Sequence, residues 1–137
     1  MINSFRGQYR FLSNFFPALI DYEGLVYPTV EHAYQACKST DNSIRKVIQN
    51  ALTSQEAKAL GKQINIRTDW DEVKLKIMEE LLRLKFSNRE ISNLLLLTGN
   101  EELIEGNWWG DTYWGICNGI GENHLGKLLM KIRENLQ

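Results

Sequence analysis

The sequence predicts a single domain that is mainly α with a minor β component, and three observations carry that expectation. Apolar residues repeat at helical spacing over 70–86 (Val73, Ile77, Leu81, Leu84) and over 123–136 (Leu125, Leu128, Leu129, Ile132), as one buried helix face requires. Thr53 and Asp69 are each followed three positions later by Glu, the spacing of a capping box that opens a helix. Finally, 137 residues without repeats, low-complexity segments or a linker suit one domain around one core.

Taken in order, residues 8–12 and 19–22 read as short extended pieces joined by the turn Asn14-Phe15-Phe16-Pro17, with a third such piece at 102–105. A short helix is expected within 27–38. Pro28 suits a helix start and Thr29 is a good N-cap, so Glu31 falls in the first turn, where the helix dipole favours negative charge. Further helices are expected at 54–61, stopped by Gly61; at 70–86; at 89–97, opened by Asn88 and ended before Gly99; and at 123–136.

Composition excludes several classes. A formal charge of −1 exerts no global pull on nucleic acid, although net charge leaves a local basic patch open. The longest apolar run, Leu94 to Leu97, is far shorter than the roughly 20 residues needed to span a bilayer. With no signal-peptide core near the start, the expectation is a cytoplasmic protein with no membrane partner. Cys37 and Cys117 stand in no metal or disulfide spacing, so neither a metal nor a bridge is expected; Cys37 reads as a small core residue.

Two segments carry chemistry. On the 27–38 helix, Glu31, Gln35 and Lys38 project from nearly the same side, flanked by Val30, Ala33, Tyr34 and Cys37, so a carboxylate, an amide and an amine converge. Residues 105–115 hold three of the four tryptophans within seven positions, together with Gly110 and Asp111. That pattern has neither helical nor strand period and reads as a loop. Its rings suit stacking on a planar heterocycle or a sugar face, unless Trp108, Trp109 and Trp114 serve as core plugs. Arg6, Arg10, Arg67, Lys38 and Lys127 are cations suited to phosphate, and the glycines from Gly119 to Gly126 precede a helix start that can cradle one. No strand, helix, strand arrangement surrounds them, so they are not a dinucleotide fingerprint.

Carboxylates at 31 and 111 beside aromatic walls suit cleavage of a glycosidic bond, in which positive charge builds on the sugar as the base departs. Glu31 is the leading catalytic candidate. Asp111 protonates the leaving base, orients ribose hydroxyls, or holds the tryptophan loop through its backbone. Lys38 offers a different route, attack of a neutral amine on the opened sugar as a Schiff-base nucleophile. Two opposing classes are a non-catalytic module that binds ADP-ribose or NAD and a purely structural helical domain. The second leaves the tryptophans unexplained.

Four blocks carry a family resemblance: Phe-Leu-Ser-Asn-Phe-Phe at 11–16, Tyr-Pro-Thr-Val-Glu-His-Ala-Tyr-Gln-Ala at 27–36, Arg-x-Asp-Trp at 67–70 and Trp-Gly-Asp-x-x-Trp-Gly at 109–115, followed by matches at 119–123 and 125–130. The chain resembles the NADAR-domain family of the YbiA-like fold over essentially its whole length. That resemblance implies an N-glycosidase without cofactor or metal, acting on a small nucleotide-like molecule such as the phosphorylated ribosylaminopyrimidine intermediates of riboflavin synthesis. As the alternative it implies enzymes that remove ADP-ribose from guanine bases, with ADP-ribosylated DNA as partner, and the absence of a basic bias favours the small molecule. Both are hydrolyses of an N-ribosyl bond. Within the motifs, the substrate-binding candidates are Asn14, His32, Gln35, Arg67, Trp70, Trp109, Trp114, Gly121 and Asn123, beside catalytic Glu31, Asp111 and Lys38.

Overall fold

A computed structural model describes all 137 residues. They form two compact units, a middle unit of residues 14–85 and a terminal unit of residues 1–13 with 86–137. The middle unit opens with a hairpin, β1 (Ile20–Tyr22) antiparallel to β2 (Leu25–Tyr27), Ile20 facing Tyr27. Its two-residue turn, Glu23 and Gly24, has φ of 49° and 88°, the positive pair that a tight hairpin turn demands. Four helices follow: α1 (Val30–Ala36), α2 (Asn42–Gln49), α3 (Ser54–Gly61) and α4 (Trp70–Lys85).

α1 lies at the centre of this unit, packed on α2, α3, α4 and the hairpin. All seven of its residues are buried, Glu31, His32 and Gln35 among them. Burying polar side chains is unfavourable unless hydrogen bonds meet them, so the fold around α1 must supply partners. Thr29 caps α1 as expected, its hydroxyl accepting from the His32 N–H at 3.1 Å. Thr53 likewise caps α3 through the Glu56 N–H at 3.0 Å, and the Glu56 carboxylate reaches back to the Leu52 N–H at 3.1 Å. Asp69 departs from the expected capping box, because its carboxylate pairs with Arg67. α2 was not expected; its N-cap Asp41 accepts from the Ser43 N–H at 2.8 Å, and Ile48 is buried.

The terminal unit contains α5 (Arg89–Leu97) packed against α6 (His124–Leu136), and a two-stranded parallel ladder of β3 (Gly106–Asn107) with β4 (Ile116–Cys117). Asn88 caps α5, and Gly99 at φ 63° follows its end, the left-handed stop that glycine provides. Residues 8–12, expected to be extended, belong instead to a 3-10 turn over Gly7–Leu12 that packs on α5. The reason is visible in Phe11 and Leu12, adjacent and both buried, whereas successive strand residues point to opposite faces. The piece at 19–22 is a strand, but it pairs with 25–27. Of 102–105, Leu103 alone bridges to Ile2. No helix is long and apolar enough to cross a membrane.

Candidate active site

The first turn of α1 positions Glu31. Its N–H donates to the Asn14 carbonyl at 3.1 Å, which ties the helix start to the chain before the hairpin. The carboxylate is 7% exposed, and its Oε2 accepts from Gln35 Nε2 at 2.6 Å, one helical turn later. A donor at that distance fixes the orientation of the carboxylate. Lys38, just past the end of α1, lies within reach of the Glu31 charge, which raises its proton affinity, yet burial outweighs this and lowers the lysine pKa. Lys62, Lys58 and Lys74 lower it further, so four ammonium groups share one region of the middle unit. The Lys38 ammonium stands 5.9 Å from the Tyr34 ring centroid.

Asn14 and Gln35 each leave an acceptor unused. Asn14 Nδ2 points to the Met78 sulfur at 3.6 Å, while Asn14 Oδ1 and Gln35 Oε1 are buried and make no hydrogen bond within the protein. Orphaned buried acceptors are uncommon and call for an explanation, a ligand being one.

Three other residues expected to bind substrate make contacts within the protein. His32 Nε2 lies 3.0 Å from the Ala51 carbonyl and Nδ1 lies 2.8 Å from Thr29 Oγ1. The carbonyl accepts only, which assigns the proton to Nε2 and leaves neither nitrogen for a ligand. Trp70 is 7% exposed and packs on Tyr34 with ring centroids 5.1 Å apart, a core contact. Arg67 grips Asp69 with two bonds of 2.6 and 3.0 Å, and the pair raises the arginine pKa and lowers that of the aspartate. Its N–H donates to the Lys38 carbonyl at 2.8 Å and its Nη1 to the Cys37 carbonyl at 3.5 Å. Arg67 thus anchors the backbone that carries Lys38, and its charge is already paired. Cys37 is a core residue as expected, its thiol pushed by burial up to about 12.

In the terminal unit the tryptophan loop is built by Asn107 and Asp111. The Asn107 amide donates to the Asp111 carbonyl at 2.8 Å and accepts from the Asp111 N–H at 3.0 Å. Asp111 Oδ1 in turn accepts from the Tyr113 and Trp114 N–H groups at 3.1 and 2.9 Å. Of the roles expected for Asp111, holding the loop is the one this geometry carries. Trp114 packs edge-on against Tyr113 at 4.8 Å, whereas Trp109 is 49% exposed. Arg6 stacks on Trp108, 3.8 Å from its centroid. Asn123 joins Leu103 and Glu105, donating to one carbonyl and accepting from one N–H, both at 3.0 Å. Gly121 is needed because a Cβ there would lie 2.1 Å from the Gly115 carbonyl. Both therefore organise the chain ahead of α6.

A NADAR-domain profile matches residues 3–137. The chain belongs to the NADAR family. An N-glycosidase of Nostoc punctiforme is 43% identical over 136 residues, covering 94% of this chain and 86% of that protein. The N-glycosidase YbiA of Escherichia coli is 38% identical over 128 residues, covering 90% and 79% respectively. A riboflavin biosynthesis protein of Vibrio vulnificus is 36% identical over 131 residues, 93% of this NADAR chain but 35% of that longer protein. The NMR structure of Escherichia coli YbiA superposes with a TM-score of 0.84 at 35% identity, covering 99% of this chain and 86% of that one. The mainly α fold with a minor β component is thus that of YbiA.

Proposed function

We propose that this NADAR protein hydrolyses the N-ribosyl bond of a phosphorylated, nucleotide-like small molecule, with Glu31 activating the attacking water. Its reaction class, hydrolysis of N-glycosyl bonds, is that of the relatives named N-glycosidases. The observation that carries the reading is the buried Glu31 carboxylate, held by Gln35 and facing the positive field of Lys38. As the bond from C1′ to the base nitrogen breaks, the electron pair leaves with the base, which takes up a proton, and positive charge grows on the sugar. An anionic carboxylate stabilises that charge and accepts the water proton while the water oxygen bonds to C1′. The unused Asn14 Oδ1 supports contact with a sugar hydroxyl. The lysines around Lys38 support recognition of phosphate.

Two relatives are named riboflavin biosynthesis proteins, and with a charge of −1 this favours a ribosylaminopyrimidine 5′-phosphate over ADP-ribosylated guanine in DNA. Both substrates are to be offered side by side to the wild type and to Glu31→Gln. The variant should bind the pyrimidine nucleotide yet release base at least about a hundredfold more slowly. Undiminished turnover would remove Glu31 from the mechanism, preferential release of guanine would reassign the substrate, and release of neither base would leave a binding module.

One observation favours a second route. Burial and three neighbouring lysines lower the Lys38 pKa, which raises the fraction of neutral amine able to attack the opened sugar. Borohydride added during turnover would then trap a reduced sugar on Lys38, and Lys38→Arg would lose trapping and turnover together, since arginine stays protonated. Absence of any adduct together with partial activity in Lys38→Arg would leave Lys38 a binding role alone.

A further inference from the structure

We propose that Gly61 is a positioning residue for Glu31, because its missing side chain is the space in which the Gln35 carboxamide sits. The inference rests on the reading of Glu31 as the catalytic carboxylate. Gly61 ends α3 as expected, but the chain runs on through Lys62 in ordinary right-handed helical geometry, so no left-handed conformation requires the glycine. A glycine at a helical position is less favourable than alanine by about 1 kcal/mol, and no backbone strain offsets that here. What does require it is steric. A Cβ built at position 61 would lie 1.9 Å from Gln35 Oε1, 2.8 Å from Cδ and 3.1 Å from Cβ.

The carboxamide is therefore fixed from two sides. Its Nε2 donates to Glu31 Oε2 at 2.6 Å, while its Oε1 lies against Gly61 with no hydrogen bond of its own. Turning the amide over would place Oε1 against the carboxylate, two acceptors facing each other. A buried acceptor is thus left unmet so that the donor can be presented to Glu31. Any side chain at position 61 pushes the whole amide away, since the contacts run from its oxygen back to Cβ, and the Glu31 carboxylate loses the group that orients it. Small displacements of a positioned group lower turnover steeply.

The test is a double-mutant cycle on release of base from ribosylaminopyrimidine 5′-phosphate, using Gly61→Ala, Gln35→Ala and the pair together. Gly61→Ala should lower kcat about tenfold or more with KM nearly unchanged. In the Gln35→Ala background the same change should have little further effect, because the amide it displaces is gone and only the 3.1 Å contact with Cβ remains. A Gly61→Ala protein that folds and keeps wild-type kcat overturns the proposal, as does an additive cycle. Should Gly61→Ala fail to fold, the double variant decides: recovery of folding, with the kcat of Gln35→Ala, places the clash on the amide, and persistent misfolding overturns it. If Glu31→Gln is inactive while Gly61→Ala is active, this inference alone falls; if Glu31→Gln is fully active, the reading of Glu31 falls with it.

Discussion

Lys85 closes α4 with 1% of its surface exposed, its ammonium 5.7 Å from the Phe16 ring centroid. Burial pushes its pKa from 10.5 down to about 7. The unfolded chain keeps this proton until near the ordinary lysine value, whereas the folded chain releases it around neutrality. Between those two values the unfolded state binds more protons, so stability rises with pH. At about 1.4 kcal/mol per pKa unit the shift opposes folding by about 4–5 kcal/mol at acidic pH, and raising the pH from about 7 to about 9 relieves about 2 kcal/mol of it. Lys85→Met keeps the volume of the stem and removes the titration. Urea unfolding of both proteins from about pH 6 to about pH 9 gives the difference in stability, which cancels the raised thiol and phenol groups of Cys37 and Tyr27. The stability of the variant relative to the wild type should fall by about 2–3 kcal/mol as the pH rises over that range. A difference in stability independent of pH would refute the reasoning.

Trp70 and Trp109 should part company. Trp70→Ala should lose about 3–5 kcal/mol of stability, as large core truncations do, and Trp70→Phe far less, while half-exposed Trp109→Ala should stay within about 1 kcal/mol of wild type in the same unfolding measurement. Asp111→Asn keeps the Oδ1 acceptor for the Tyr113 and Trp114 N–H groups, so turnover and melting temperature should survive it, whereas Asp111→Ala should lower stability by about 1–3 kcal/mol. Loss of turnover in Asp111→Asn with the fold intact would restore this carboxylate to the chemistry. His32→Phe should lower stability by about 1–3 kcal/mol through the unmet Ala51 carbonyl and Thr29 hydroxyl, with the substrate affinity of the folded protein unchanged; a fall in affinity at unchanged stability would return His32 to the binding site.

The local chemistry of the chain determined where its helices lie. Thr29, Thr53 and Asn88 cap the helices they precede, Gly99 ends α5, and α3 and α5 occupy the ranges their apolar period and caps predict, because capping and periodicity act within a few residues. The Glu31 and Gln35 pair was equally legible, since one helical turn separates them. α2 had a legible signal too, an Asp before an Ile44 and Ile48 stripe. What tertiary structure alone decided is where each polar group finds its partner. The Ala51 carbonyl takes the second nitrogen of His32, Asp69 and the Cys37 carbonyl hold the Arg67 guanidinium, and the Gln35 amide fills the space a side chain at Gly61 would need. Each of those partners lies across a turn or a neighbouring element, and hydrogen-bond satisfaction and steric exclusion act through space, so no spacing along the chain records them.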